Sequence, residues 1–135
     1  MKILITGNAG YIGPSVLQRL RQSYPQATLI GLDKGFFAHC LTNADILPEC
    51  RADIQYFSDV RRFRPETLQG VDAVVHLAAI SNDPMGNTFE KVTFDINFLA
   101  SVELAKQAKM AGVKTFIFAS SCSMYGQAEI GRAHV

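Results

Sequence analysis

Gly7, Gly10 and Gly13 recur at intervals of three in Thr6-Gly7-Asn8-Ala9-Gly10-Tyr11-Ile12-Gly13, between an apolar run and an amphipathic stretch. Such spacing suits phosphate chemistry. The first glycine lets the backbone turn sharply. The second lets a pyrophosphate approach the backbone at a helix N-terminus, and the third lets helix and strand pack closely. Ala9, Tyr11 and Ile12 complete the turn and belong to the same candidate cofactor-binding set. Asp33 ends a second apolar run, 20 residues after Gly13. A carboxylate there accepts hydrogen bonds from adenosine ribose hydroxyls and repels a 2′-phosphate, so NAD is expected over NADP. Lys34, next in sequence, carries an ammonium that partly offsets this repulsion. The alternative is that the glycines form only a tight turn.

A sheet with intervening helices must position these residues. Strands are predicted over Lys2–Ile5, Leu29–Asp33, Ile54–Phe57, Ala73–Leu77 and Thr115–Ser120. Their β-branched and aromatic runs predict burial on both faces, as in a parallel sheet. Ile12, Val16, Leu17 and Leu20 form one face of a first helix that stops before Pro25, with Pro14 in its first turn. A short helix is predicted over Pro65–Gln69, ended by Gly70, and a long one over Asn87–Met110, ended by Gly112. Asn87 and Glu90 have the spacing of a capping box. Residues 34–52 read as loop with a helical turn. Strand–helix alternation predicts a doubly wound α/β Rossmann fold of three layers, with ligands outside the carboxyl ends of the strands.

Composition narrows the function. The chain has 135 residues, 48% hydrophobic and 19% charged, with a formal net charge of +1. That balance gives no electrostatic case for nucleic acid or an anionic membrane, and no apolar run approaches the ~18–20 residues of a membrane helix. Cys40, Cys50 and Cys122 share no ligand-like spacing, so free thiols in a reducing cytoplasm are expected and no metal site is. The segment Glu129-Ile130-Gly131-Arg132-Ala133-His134-Val135 reads as the translation of a sequencing-library adapter, GAG-ATC-GGA-AGA-GCA-CAC-GTC. Residues 1–128 are therefore expected to be a Rossmann domain truncated after its fifth strand, and 129–135 a non-native tail.

The Thr-Gly-x-x-Gly-x-x-Gly turn resembles that of the extended short-chain dehydrogenase/reductase family, specifically its NAD-dependent epimerase/dehydratase branch. The resemblance covers about residues 1–128. Ser58-Asp59-Val60-Arg61 resembles the family's motif after strand three, which implies that Asp59 and Val60 meet the adenine. His76-Leu77-Ala78-Ala79 resembles the segment after strand four, which implies that Leu77, Ala78 and Ala79 lie along the cofactor. Asn97 resembles an asparagine of the following helix that helps hold the active site. Ser120-Ser121-Cys122-Ser123-Met124-Tyr125-Gly126 resembles the segment ending strand five. Ser121 then stands in the place of the catalytic Ser/Thr, with Ser120 beside it on the cofactor side. Read from the residues alone, Asp59 has a loop acid or helix cap as its alternative. His76 could be a strand residue, Asn97 a buried polar tie, and Ser120 a strand-end serine.

The resemblance further implies a Tyr-x-x-x-Lys pair, whose tyrosinate takes a hydroxyl proton as hydride moves to NAD. No tyrosine of residues 1–135 has a lysine four residues on, and Glu129 follows Tyr125 at that distance. The chain as given is therefore expected to bind cofactor weakly or partially and not to turn over. The family's dehydratases resemble one another in an Asp-Glu pair after the Ser/Thr. Cys122-Ser123 stands there instead, which disfavours water elimination. Ser81-Asn82-Asp83-Pro84-Met85 is either a substrate contact or a turn into the long helix. The expected function is the cofactor-binding part of an epimerase or oxidoreductase acting on a nucleotide-activated sugar. The alternatives are a reductase or dehydrogenase of a small carbonyl or alcohol, and a non-catalytic NAD-sensing protein. Oligomeric state stays open, and a homodimer of the complete protein is compatible.

Overall fold

The computed structural model describes residues 1–36, 46–81 and 88–121. Five parallel strands form one sheet: β1 (Lys2–Thr6), β2 (Thr28–Asp33), β3 (Ile54–Phe57), β4 (Ala73–His76) and β5 (Thr115–Phe118), in spatial order β3-β2-β1-β4-β5. The chain steps outward from β1 to β3 on one side, then from β4 to β5 on the other. The switch point therefore lies between β1 and β4, where this fold opens a crevice at the strand carboxyl ends.

Strand periodicity splits the core into two layers. Leu4, Ile30, Leu32 and Val74 point to one face, where they pack with Ala100, Leu104 and Ala108 of the C-terminal helical segment. Ile3, Ile5, Leu29 and Val75 point to the other, against Leu17 of α1 (Gly13–Ser23). The expected helix face is seen at Val16, Leu17 and Leu20, but Ile12 caps the helix and is exposed. Pro14 lies in the first turn, where an absent N–H removes no hydrogen bond.

Several expectations are corrected. β3 and β5 are not buried on both faces, because each has a single strand neighbour among the described residues. Tyr56, Phe57, Ile117 and Phe118 are exposed. β4 ends at His76 and β5 at Phe118, so Leu77 and Ser120 lie beyond the sheet. Pro65–Leu68 and Pro48–Arg51 are single 3₁₀ turns, and Gly70 follows the former with φ of 69°. The long helix is interrupted. A segment α2 (Glu90–Phe94) passes through a π turn over Asp95–Ala100 into α3 (Ser101–Met110). The capping position at Phe89 has no side-chain cap, and Asn87 lies outside the described residues. The physical reason for the π turn is a tertiary contact. Asn97 must reach the segment after β4 while Ala100 and Leu104 face the sheet. One extra residue in the turn rotates the following face by ~100°.

Candidate cofactor cleft

The glycine turn is held from three sides. Gly7 N donates to Leu32 O at 2.9 Å, and Gly10 N to Gly7 O at 3.1 Å. Asn8 is fully buried, its amide paired with that of Gln55 (Nδ2 to Oε1, 2.7 Å) across Gly31. A Cβ on Gly31 would lie 2.2 Å from Gln55 Oε1 and 2.5 Å from Asn8 Nδ2. Only a bare backbone in mid-β2 makes room for the pair that ties the turn to β3. Sequence reading missed Asn8, Gln55 and Gly31. The available signal was a glycine inside a strand, which marks a close approach.

The three glycines of the turn do different work. Gly7 has φ of 73°, and a Cβ there would sit 2.7 Å from Ala78 N. Gly13 would press a Cβ to 2.2 Å from Asn8 O, so it accommodates the turn itself rather than a strand. Around Gly10 a Cβ would meet, among the described residues, only Gly7 O, at 3.2 Å. Packing within the chain therefore hardly requires Gly10 to lack a side chain, whereas a ligand lying on the turn would.

An open cleft of about 600 Å³ lies over this turn, within the range of small-molecule sites. Gly7, Ala9, Gly10, Tyr11 and Ile12 line one part; Asp33, Asp59 and Val60 line a second; Leu77, Ala78 and Ala79 line a third. The fold thus brings together most of the candidate cofactor-binding residues. Gly13 is buried behind the turn, at the start of α1. The N-terminus of α1 has no side-chain cap and no acidic residue in its first turn. A helix start leaves its first N–H groups, here other than at Pro14, without intrahelical partners and carries the positive end of the helix dipole.

Asp33 is partly committed. Its Oδ2 accepts from Ala9 N at 3.1 Å and its Oδ1 from Gly35 N at 2.6 Å. A carboxylate has about four acceptor positions, so two remain for a ligand. Lys34 is drawn away from it: Nζ lies 3.5 Å from Asp59 Oδ2 and 4.6 Å over the Phe36 ring. Asp59 caps the 3₁₀ turn Val60–Arg62 through Arg61 N at 2.9 Å, and also binds the Arg61 guanidinium at 2.6 Å. The Arg61 guanidinium, with help from Lys34, holds the Asp59 carboxyl well below the usual carboxylate range. The helix-cap reading of Asp59 is observed, and the same residue lines the cleft.

Besides Gly13, three expected residues stand off the cleft: Asn97, Ser120 and Ser121. Asn97 does not line it; its amide accepts from Ile80 N and donates to Ile80 O, both at 2.8 Å, and so clamps the segment after β4. At the end of β5 the lining residue is Ala119, while Ser120 and Ser121 follow as exposed residues. Ser81 lines the cleft. Cys50 is a free, exposed thiol, and Cys40, Cys122, Ser123, Tyr125 and residues 129–135 lie outside the described residues. No helix among the described residues is long and apolar enough to cross a membrane.

Residues 3–133 match the NAD dependent epimerase/dehydratase family. The chain belongs to that family. An uncharacterized UDP-glucose epimerase of Bacillus subtilis (strain 168), YtcB, is 33% identical over 134 residues, covering 94% of this chain and 42% of the relative. A UDP-glucose-4-epimerase from Stenotrophomonas maltophila, solved with bound NAD and formylated UDP-arabinopyranose, superposes with a TM-score of 0.76 at 28% identity. It covers 98% of this chain and 40% of its own. An NAD-dependent NDP-hexosamine 5,6-dehydratase of tunicamycin biosynthesis superposes with a TM-score of 0.80 at 26% identity, covering 98% and 41%. The chain thus spans about two fifths of the length of these epimerase/dehydratase relatives.

Proposed function

We propose that this chain is the cofactor-binding part of an NAD-dependent epimerase acting on a nucleotide-activated sugar. The supporting observation is that the glycine turn, the uncapped start of α1 and the Asp33 carboxylate share one cleft. In this reading Gly10 and the N-terminus of α1 hold a pyrophosphate, and the free positions on Asp33 accept from ribose hydroxyls. Val60, Leu77, Ala78 and Ala79 supply the apolar and backbone walls. Bound NAD would supply reversible hydride acceptance. In the same reading Ser121, two residues beyond the cleft-lining Ala119, hydrogen-bonds a substrate oxygen. The bound NAD and UDP-sugar of the Stenotrophomonas relative support both ligand classes. Epimerase is preferred to dehydratase because Cys122-Ser123 offers no paired carboxylates for acid–base elimination.

Gly10→Val tests the reading directly. Its side chain would enter the cleft rather than the core, since only Gly7 O lies nearby. NAD binding, measured by calorimetry, should be abolished while circular dichroism stays that of the parent. Normal NAD binding by this variant would make the turn merely structural and overturn the proposal.

A further inference from the structure

Three polar side chains with no part in the proposed cofactor contacts meet in the interior: Thr6 ending β1, His76 ending β4, and Ser101 opening α3. Thr6 is fully buried and His76 is 1% exposed. His76 Nδ1 lies 2.5 Å from Thr6 Oγ1, and Nε2 lies 2.7 Å from Ser101 Oγ. Phe116 and Phe118 pack near the ring.

Counting protons orients every bond. The Ser101 hydroxyl donates to Asn97 O at 2.9 Å, since a carbonyl can only accept. Its one proton is thereby used, so it accepts from His76, and Nε2 carries the hydrogen. In a neutral imidazole Nδ1 is then the acceptor, and it takes the Thr6 hydroxyl proton. Thr6 Oγ1 in turn accepts from Ala78 N at 3.4 Å. Donation runs one way: Ala78 to Thr6, to His76, to Ser101, to the Asn97 carbonyl. The Asn97 side chain then grips both backbone groups of Ile80. The two ends of this path hold the backbone on either side of Ala79, in the cleft wall.

We propose that His76 is a positioning residue: its Nε2–H tautomer joins β1, β4 and the π turn in one hydrogen-bonded path that fixes the Ala78–Ile80 wall against the glycine turn. That wall has little latitude, because Gly7 fits beneath Ala78 N only without a Cβ. Burial lowers the imidazole pKa to about 4, which keeps the ring neutral at ordinary pH. The inference rests on the proposed function only for its affinity readout.

The test uses the full chain and three variants: Ser101→Ala, Thr6→Val and the double variant. Nitrogen NMR of the parent, with the His76 ring assigned by its disappearance in His76→Asn, should show that ring neutral and protonated at Nε2. Amide exchange without cofactor should quicken at Ala78 and Ile80 in Ser101→Ala, although the Ser101 hydroxyl bonds to His76, Asn97 and Ile96. The NAD dissociation constant should rise about 3- to 10-fold in Ser101→Ala, the usual effect of one lost hydrogen bond. The double variant should lose less than the product of the single losses, because both break one path. An Nδ1–H tautomer, unchanged exchange at both amides, or strictly multiplicative losses would overturn the proposal. If the parent binds no NAD, the functional reading fails, while tautomer and exchange still decide this one.

Discussion

At the scale of single residues, the two carboxylates of the cleft differ in how far their acceptor positions are already used. Asp33 and Asp59 both line the cleft. Asp59, however, is occupied by Arg61 and Lys34, whereas among the described residues Asp33 meets two backbone N–H groups. Pairing with Asp59 offsets part of the Lys34 charge that could otherwise welcome a 2′-phosphate beside Asp33. Asp33→Ala should therefore weaken NAD binding by about 1–3 kcal/mol, the cost of leaving hydrogen-bonding groups unpaired. Asp33→Asn separates charge from shape. It should narrow the gap between NAD and NADP affinities in calorimetric titration, and an unchanged ratio would mean that the carboxylate does not select. Ser121→Ala in the complete enzyme should slow turnover by about 10²–10⁴-fold, as for a lost proton-transfer partner, with little change in NAD affinity. An equally large loss of NAD binding would place Ser121 on the cofactor rather than the substrate.

At the scale of elements, what was legible is what local pattern determines. The five strands lie within two residues of their predicted ends, because apolar runs bounded by Gly, Pro and Asp mark them. The glycine turn was legible because its backbone demands are local; Gly7 has the positive φ expected of a sharp turn. The Asn8–Gln55 pair was not, since it joins residues 47 apart and leaves only Gly31 as a trace. The π turn was also illegible. Its residues Asp95–Ala100 have ordinary helix formers, and the cause is a distant backbone that Asn97 must reach. The exposure of β3 and β5 follows from sheet order, which periodicity does not report. These elements yield a prediction about Gly7. Gly7→Ala combines a left-handed backbone with a Cβ 2.7 Å from Ala78 N. It should lower stability in urea unfolding by more than the ~1 kcal/mol of left-handed strain alone. Parent-like stability would show that the wall after β4 yields freely.

At the scale of the whole molecule, the buried imidazole ties stability to pH. His76 lies at the meeting point of β1, β4 and α3, and burial lowers its pKa from 6.5 to about 4. A depressed histidine pKa means that the unfolded chain binds the proton more readily than the folded one. The stabilisation is therefore fully present above about pH 6.5 and is lost as pH falls toward about 4. Each pH step of one across that interval is worth ~1.4 kcal/mol, so the whole loss should reach about 3 kcal/mol. Asp59 acts in the same direction at lower pH: its lowered pKa stabilises the fold above 3.8 and ceases to do so as the carboxylate protonates. Urea unfolding of the parent should show midpoints dropping between about pH 6.5 and 4, with a slope approaching one proton near the middle. His76→Asn retains an acceptor for Thr6 but cannot titrate. It should be less stable than the parent at pH 7 and lose less on acidification, so the two curves converge toward pH 4. Parallel curves would mean that other groups govern the acid response and that His76 is not held neutral by the fold.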